Sequence, residues 1–167
     1  MRESQYSKYI RTEDKLEVKQ HPHPEVTSPV LMLISDPDFG NLPLRQVCMP
    51  ITEPFTMESK THSHDFDQFL TFSGGDMTNM MDLGGEVEFS IGEEGKKMET
   101  FLLTRTTTFF IPKGLLHGPL IYKKINNPKY PILHNETSLT NEYFRKKEFG
   151  DSAQDSEYET FMKNKNK

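Results

Sequence analysis

The chain of 167 residues contains one cysteine, Cys48, and no long apolar run. A single cysteine cannot form a disulfide within the chain, and it is typical of a reducing compartment. No stretch approaches the roughly 18 apolar residues of a membrane-spanning helix, and the N-terminal residues lack the apolar centre of a secretory signal peptide. These absences argue against a disulfide-rich secreted domain and a membrane-spanning protein, so we expect a cytoplasmic location.

Basic residues are outnumbered as well, with 20 lysines and arginines against 25 acidic residues and a net charge of −5. Domains that bind nucleic acid gather lysine and arginine along one face or stripe, and no such stripe is visible here. The negative balance mainly favours solubility. We therefore expect neither nucleic acid nor a membrane among the partners.

What the chain does contain is a series of short segments rich in threonine and aromatic residues, separated by proline and glycine turns. The predicted strands are 30–35, 44–51, 64–72, 86–91, 100–104, 106–112, 117–125 and 130–133. Many short strands at regular spacing are typical of an all-β sandwich or barrel. The sequence therefore predicts an all-β fold.

The length suits one domain with short extensions. We predict an N-terminal arm over 1–24, a β-barrel domain over 25–138 and a charged C-terminal tail over 139–167. Within the tail, a capping-box pattern followed by apolar residues at helical spacing predicts a short helix around 156–163. A tail without structure is the alternative.

The segment THSHDFDQ, residues 61–68, carries the first candidate ligands. Residues two apart in a strand point to the same face, so His62, His64 and Gln68 are expected to share one side of the sheet. Two imidazoles on one face begin a metal site, but such a site usually needs a third or fourth donor. The amide oxygen of Gln68 can supply one of them.

A third imidazole has to come from farther along the chain. The best candidate is His117, because the turn Pro112–Gly114 just before it can deliver a histidine at the start of a strand. His134, at the end of an apolar strand, is the reserve candidate or a residue that supports the ligands from behind.

These two segments together resemble the signature motifs of the cupin superfamily. The first motif reads G-x5-H-x-H-x3,4-E-x6-G, and its matching positions here include His62, His64 and Gln68. The second reads G-x5-P-x-G-x2-H-x3-N, and its matching positions are Pro112, Gly114 and His117. The resemblance covers roughly residues 40–135 and implies a double-stranded β-helix, or jelly-roll barrel.

The departures from the motifs are informative. Three of them affect turns and strand ends: Thr56 and Thr106 replace the opening glycines, and Ile121 replaces the closing asparagine. The fourth is chemical, because Gln68 stands where the family has glutamate. The implied ligands are then three neutral imidazoles and a neutral amide, a set that suits Fe, Zn, Ni or Cu better than Mn. The alternative is a cupin that keeps these histidines as polar lining without a metal.

The resemblance implies a metal-dependent enzyme that acts on a small oxygen-containing organic molecule. The reaction classes that fit are oxygenative cleavage, as in a dioxygenase, and metal-assisted enolisation, as in lyases and isomerases. No catalytic residue beyond the ligands stands out. A non-catalytic binding or sensor module with a structural metal is the main alternative, and a β-sandwich with incidental histidines is the third. The resemblance also implies a homodimer.

Overall fold

The computed structural model describes residues 5–18, 21, 23–26, 30–143, 145 and 147–149. Within these residues the chain is almost entirely strand, with one 3-10 turn at Ser7–Tyr9 and one short helix, α1, at Glu13–Leu16. The strands in chain order are β1 (Glu17–Val18), β2 (Val30–Ile34), β3 (Arg45–Ile51), β4 (Phe55–Glu58), β5 (Thr61–Ser63), β6 (Gln68–Gly74), β7 (Asp82–Gly92), β8 (Glu99–Arg105), β9 (Thr107–Ile111), β10 (Leu116–Ile125), β11 (Ile132–Ser138) and β12 (Lys147–Phe149). The all-β prediction is confirmed.

The strands form two sheets, and their pairings in the described residues are antiparallel. One sheet has the order β1-β2-β3-β11-β6-β9, and the other has the order β12-β5-β10-β7-β8 with β4 also paired to β10. Residues from both sheets share one apolar core, among them Phe72 and Ile132 from the first and Val87 and Phe89 from the second. The two inner faces therefore pack against each other around a common interior.

Both sheets extend past the predicted domain limits of 25 and 138. Strand β1, from the predicted N-terminal arm, pairs with β2, and β12, from the predicted tail, pairs with β5. The helix predicted around 156–163 lies outside the described residues. In the part of the chain that the structure describes, neither helical segment has the length or the apolar character to cross a bilayer.

The single strand predicted over 64–72 is wrong, because the chain leaves one sheet after β5 and enters the other at β6. The connection between them is fixed by hydrogen bonds to the turn before β10. The backbone carbonyl of His64 accepts from the amide of Gly114 at 2.8 Å, and a carboxylate oxygen of Asp67 accepts from the amide of Lys113 at 2.9 Å. These contacts join the two sequence motifs directly.

Three neighbouring strands of the first sheet place their inward side chains in rows. Because β3, β11 and β6 pair in register, these buried rows are Arg45–Ser138–Gln68, Val47–Glu136–Leu70 and Met49–His134–Phe72. The first row is entirely polar, and the rows become more apolar farther along the strands. A polar end of the interior thus lies beside the connection that carries His64.

Gly118, which directly follows His117, offers a test of how closely the backbones of the second sheet must approach each other. Its φ is +90°, and a Cβ there would lie 2.3 Å from the backbone oxygen of Lys60. Gly95 is the matched control, with φ +76° and nothing within 4 Å of its Cβ position. We expect Gly95→Ala to lower the free energy of unfolding by about 1–2 kcal/mol through backbone strain. Gly118→Ala should lower it by a further ~1–3 kcal/mol through the clash.

Urea unfolding of the two variants and the unchanged protein measures both effects. Equal losses for the two alanine variants would show that the approach to Lys60 does not constrain this position.

Candidate metal centre

Three histidines from two separated segments meet at the polar end of the interior. His62 and His117 face each other across β5 and β10, and their ring centroids are 4.3 Å apart. The ring of His64 lies 4.9 Å from that of His62 and 5.1 Å from that of His117. All three side chains are buried, and one ring nitrogen from each lies within 4.8 Å of the other two. We call these three residues the histidine trio.

Two members of the trio have their proton position set by the backbone. The Nδ1 atom of His117 lies 3.0 Å from the carbonyl oxygen of Leu115, and that of His62 lies 3.4 Å from the carbonyl oxygen of Lys60. A carbonyl only accepts, so each Nδ1 carries the hydrogen and each Nε2 keeps its lone pair. This is the tautomer that binds a metal through Nε2.

The surroundings also keep these imidazoles neutral. Burial, followed by the neighbouring His64, lowers the pKa of His117 to about 4. Burial, followed by His117, lowers the pKa of His62 well below its ordinary 6.5. Metals bind the neutral imidazole. Two nitrogen ligands about 2.1 Å from one ion lie at most about 4.2 Å apart, so the trio needs only small ring movements to hold one. The residues present therefore fit a divalent transition metal.

Gln68 lies beside the trio in the same cavity and is oriented by its neighbours. Its Nε2 donates to the hydroxyl of Ser138 at 3.2 Å, and that hydroxyl donates to Glu136 at 2.8 Å. Because the only hydroxyl hydrogen goes to the carboxylate, the oxygen of Ser138 must accept, which fixes the amide nitrogen on its side. The amide oxygen of Gln68 is left for a metal or a ligand. Direct ligation by Gln68 stays a prediction.

Glu136 is a buried carboxylate in the wall of this cavity, paired with the guanidinium of Arg45. Burial acts to raise the pKa of Glu136, but Arg45 and the hydroxyl of Ser138 outweigh it and the pKa is lowered. The carboxylate is therefore ionised and balanced by a buried cation. Such a pair avoids the large cost of an isolated buried charge.

The segment after β11 covers the trio. The hydroxyl of Tyr143 lies 3.2 Å from Nε2 of His64, and the guanidinium of Arg45 lies 4.5 Å from the centre of the Tyr143 ring. Farther along, Arg145 forms an ion pair with Glu58. Within the trio, His64 is therefore the residue whose Nε2 has a side-chain partner in the structure, and that partner is the hydroxyl of Tyr143.

Two members of the trio, His62 and His117, line a small cavity of about 50 Å³. Its described lining is Met49, Met57, Glu58, His62, Gln68, Leu70, Phe89, His117, Gly118, Leu120, His134, Glu136 and Tyr143. Polar groups gather at the trio end, and apolar side chains surround the rest. This arrangement is typical of a site for one small ligand.

The sequence matches no known family model and no curated protein. Among solved structures it is similar to peruvianin-I, a cysteine peptidase from Thevetia peruviana latex, with 12% identity, a TM-score of 0.50, and coverage of 83% of this chain and 76% of that one. It is also similar to a variant of Bacillus subtilis oxalate decarboxylase, with 11% identity, a TM-score of 0.49, and coverage of 70% and 27%. An oxalate oxidase gives 16% identity, a TM-score of 0.46, and coverage of 73% and 55%. The chain has the cupin fold.

These similarities to solved structures are similarities of the β-barrel fold. The chain spans about a quarter of the length of the oxalate decarboxylase and about half that of the oxalate oxidase. The 12% identity to peruvianin-I shows a shared fold and leaves the chemistry open. The cupin fold nevertheless confirms the resemblance that the two histidine motifs indicated.

The structure brings the predicted site residues of this chain into one place. His62, His64 and His117 form the trio, Gln68 lines the cavity beside them, and His134 lines the same cavity two rows deeper. His134 does not belong to the group of three whose ring nitrogens lie close together.

Two residues near the trio, Glu136 and Tyr143, were not predicted from the sequence. Glu136 was within reach, because extending the strand through Ser138 places Ile132, His134 and Glu136 on one face by simple alternation. Nothing local marks Tyr143, which lies outside the regular strands and reaches His64 across 79 residues of sequence.

The pairing of Glu136 with Arg45 leads to a stability prediction. Glu136→Gln removes the carboxylate from a buried guanidinium, and we expect a loss of about 3 kcal/mol in the free energy of unfolding. The matched control is Glu88→Gln, which breaks an exposed pair with Lys123 and should cost less than about 1 kcal/mol. Chemical denaturation of both variants gives the comparison. Similar small losses would show that the buried pair does not stabilise the cupin barrel.

Proposed function

We propose that this cupin is a metal-dependent enzyme acting on a small oxygen-containing organic molecule. The observation that carries the proposal is the buried trio with its ring nitrogens within 4.8 Å. Two of its members, His62 and His117, line a small cavity that also holds the buried carboxylate of Glu136. The metals that suit this donor set are Fe, Zn, Ni and Cu, with Mn less favoured because no carboxylate occupies position 68. The reaction classes that fit are oxygenative cleavage and metal-assisted enolisation.

Each residue of the cavity has a role in this proposal. His62, His64 and His117 hold the metal, which when bound supplies a Lewis acid with open positions for water or substrate. Gln68 contributes its amide oxygen as a fourth ligand or as a hydrogen-bond partner of a ligand. Tyr143 covers the trio and limits the entry of water.

Glu136 is a positioning residue in this scheme. Its carboxylate is held by Arg45 and Ser138, and its lowered pKa makes it a weak base near neutral pH. It can accept a hydrogen bond from a hydroxyl of the substrate while it keeps Ser138, and through it Gln68, in a fixed orientation. Proton transfer by Glu136 is not needed for that role.

A non-catalytic binding or sensor cupin is the second candidate. The closeness of Tyr143 to His64 favours it, because a phenol at the trio leaves less room for an exchanging substrate. Both candidates use the same trio, so they differ only in whether a bound molecule is converted.

The peptidase activity of peruvianin-I is not part of the proposal. Cys48 pairs with Asn135 on the face of the first sheet opposite to the buried row of Met49 and His134. Burial raises the pKa of its thiol, which lowers the fraction of nucleophilic thiolate. A homodimer and a cytoplasmic location accompany the proposal as expectations from the sequence.

Metal analysis of protein purified without a histidine tag tests the metal site. We expect a stoichiometric divalent transition metal in the unchanged protein and its loss in His62→Ala and His117→Ala, because each removes one of three nitrogen donors. His21→Asn is the control, since it removes an imidazole outside the trio and should leave the metal content unchanged. Circular dichroism confirms that the variants fold.

Metal content that stays the same in the trio variants would contradict the proposed site. Absence of metal in the unchanged protein, together with a melting temperature unaffected by chelator or by added Zn²⁺ and Fe²⁺, would remove the metal from the proposal altogether.

Turnover separates the enzyme from the binding module. We expect the metal-loaded protein to convert a member of a panel of small hydroxy acids, oxo acids and dicarboxylic acids, with product detected by mass spectrometry and oxygen consumption followed in parallel. The same panel with the His117→Ala variant is the control. Saturable binding by calorimetry without any product from the panel would favour the binding module.

A further inference from the structure

A phenol oxygen from outside the two sequence motifs lies at the histidine trio. The hydroxyl of Tyr143 is 3.2 Å from Nε2 of His64, and Tyr143 lines the same cavity as His62 and His117. Transition metals bind oxygen as well as nitrogen donors, and a closed tetrahedral site needs four of them. The trio provides three nitrogens, so an oxygen at this place can supply the fourth donor.

The distance between the two atoms fits two ligands of one ion better than it fits a hydrogen bond. The interior holds another contact between a phenol and an imidazole, from Tyr122 to Nδ1 of His134, and that hydrogen bond is 2.6 Å long. The contact at the trio is longer, at 3.2 Å. Two donors that bind one ion at roughly 2.0–2.1 Å in a tetrahedral site lie about 3.3 Å apart. The Tyr143 hydroxyl is therefore spaced from Nε2 of His64 as one ligand is spaced from the next.

The ring of Tyr143 is packed among side chains of the polar end of the interior. The guanidinium of Arg45 lies 4.5 Å from the centre of the ring. The centres of the Phe66 and His64 rings lie 5.6 Å and 4.8 Å from it. Groups that bind a metal work best when packing holds them in one orientation, and these three neighbours hold the phenol at the trio.

The segment that carries Tyr143 is also attached to the barrel on both sides of this residue. Before it, the amide of Leu139 donates to the carbonyl oxygen of Asp67 at 2.9 Å. After it, Arg145 forms an ion pair with Glu58, which lines the cavity. The phenol is therefore delivered to the trio by a segment with fixed ends.

The charges around the cavity favour an anionic donor at this place. Gln68 replaces the glutamate of the motif, and the carboxylates that line the cavity, Glu136 and Glu58, are each paired with an arginine. A divalent ion at the trio would thus add buried positive charge, and buried charges need partners. When the oxygen of Tyr143 binds a metal, the O–H bond breaks, the metal–oxygen bond forms and the proton passes to water. The phenolate then offsets one of the two positive charges.

We propose that the hydroxyl oxygen of Tyr143 binds, as a phenolate, the metal that the histidine trio holds. In this arrangement His64 binds through Nε2, the atom beside the phenol, as His62 and His117 do. This inference rests on the proposed metal site and adds to it a ligand from outside both sequence motifs. It gives Tyr143 a role at the metal in addition to covering the trio.

Visible absorption of the Fe³⁺-loaded protein is the first test, because a phenolate bound to Fe³⁺ gives an oxygen-to-metal charge-transfer band that imidazole and amide ligands do not give. We expect this band in the unchanged protein, with phenolate vibrations in the resonance Raman spectrum, and its loss in Tyr143→Phe. That variant keeps the ring beside Arg45, so it should fold, and circular dichroism checks this. Tyr130→Phe is the matched control. It removes the hydroxyl of an exposed tyrosine at a different cavity, and the band should stay unchanged.

Metal affinity is the second test, and it separates a ligand from a cap on His64. Loss of residues that only support metal ligands lowers metal affinity roughly 10–100-fold. Tyr143→Phe should therefore raise the dissociation constant for Co²⁺ at least about tenfold in competition with a chelator, while Tyr130→Phe leaves it unchanged. A hydroxyl that only capped Nε2 of His64 would compete with the ion, and its removal would leave Co²⁺ binding equal or tighter.

Three results would overturn this inference and leave the metal site in place. They are Fe³⁺ binding without the charge-transfer band in the unchanged protein, a band that persists in Tyr143→Phe, and equal or tighter Co²⁺ binding by that variant. Failure of the unchanged protein to bind either ion would overturn the metal site and this inference together.

Discussion

The need to pair buried charges determines how the polar end of this interior is built. The Arg45–Glu136 pair is the centre of that arrangement, because both ionised groups are buried between the sheets. Ser138 donates to the same carboxylate and accepts from Gln68, while the guanidinium lies against Tyr143, which contacts His64. One connected set of contacts therefore runs from the ion pair to Gln68 on one side and to His64 of the trio on the other. A change at the pair alters the orientation of groups that face the trio.

A negative charge in this cavity belongs to Glu136. In the motif, the residue that usually carries such a charge is the glutamate at the position of Gln68. Glutamate is absent from position 68, yet a carboxylate lies in the same cavity at Glu136, on the neighbouring strand. That carboxylate is already balanced by Arg45, so it does not offset the charge of a metal as a ligand would. The trio thus presents neutral donors in a buried, electrically balanced cavity. Imidazole and amide donors favour the later transition metals.

Much of this could be predicted from the sequence, because strand alternation is a local property. The spacing in residues 61–68 places His62, His64 and Gln68 on the buried side, and all three are buried. The same rule failed to show that the strand is broken, since the break depends on hydrogen bonds to Lys113 and Gly114, about 50 residues away. The sequence does not show which way Arg45 faces for a related reason: an inward arginine becomes acceptable only when the fold brings a carboxylate to it. Long-range partners of this kind cannot be inferred from one stretch of sequence.

The same dependence on distant partners applies to the histidine trio itself. Strand β5 has three residues and carries His62, and its register with β10 rests on the single pair of His62 with His117. Its pairing with β12 covers all three residues, so the later strand also holds β5 in the sheet. Between β11 and β12, Tyr143 contacts His64 and Arg145 holds Glu58 at the end of β4. The residues that follow the barrel in sequence therefore fix the strand that presents one histidine and cover another. The centre becomes complete only when this C-terminal segment is in place, which links the geometry of the trio to the docking of residues outside both cupin motifs.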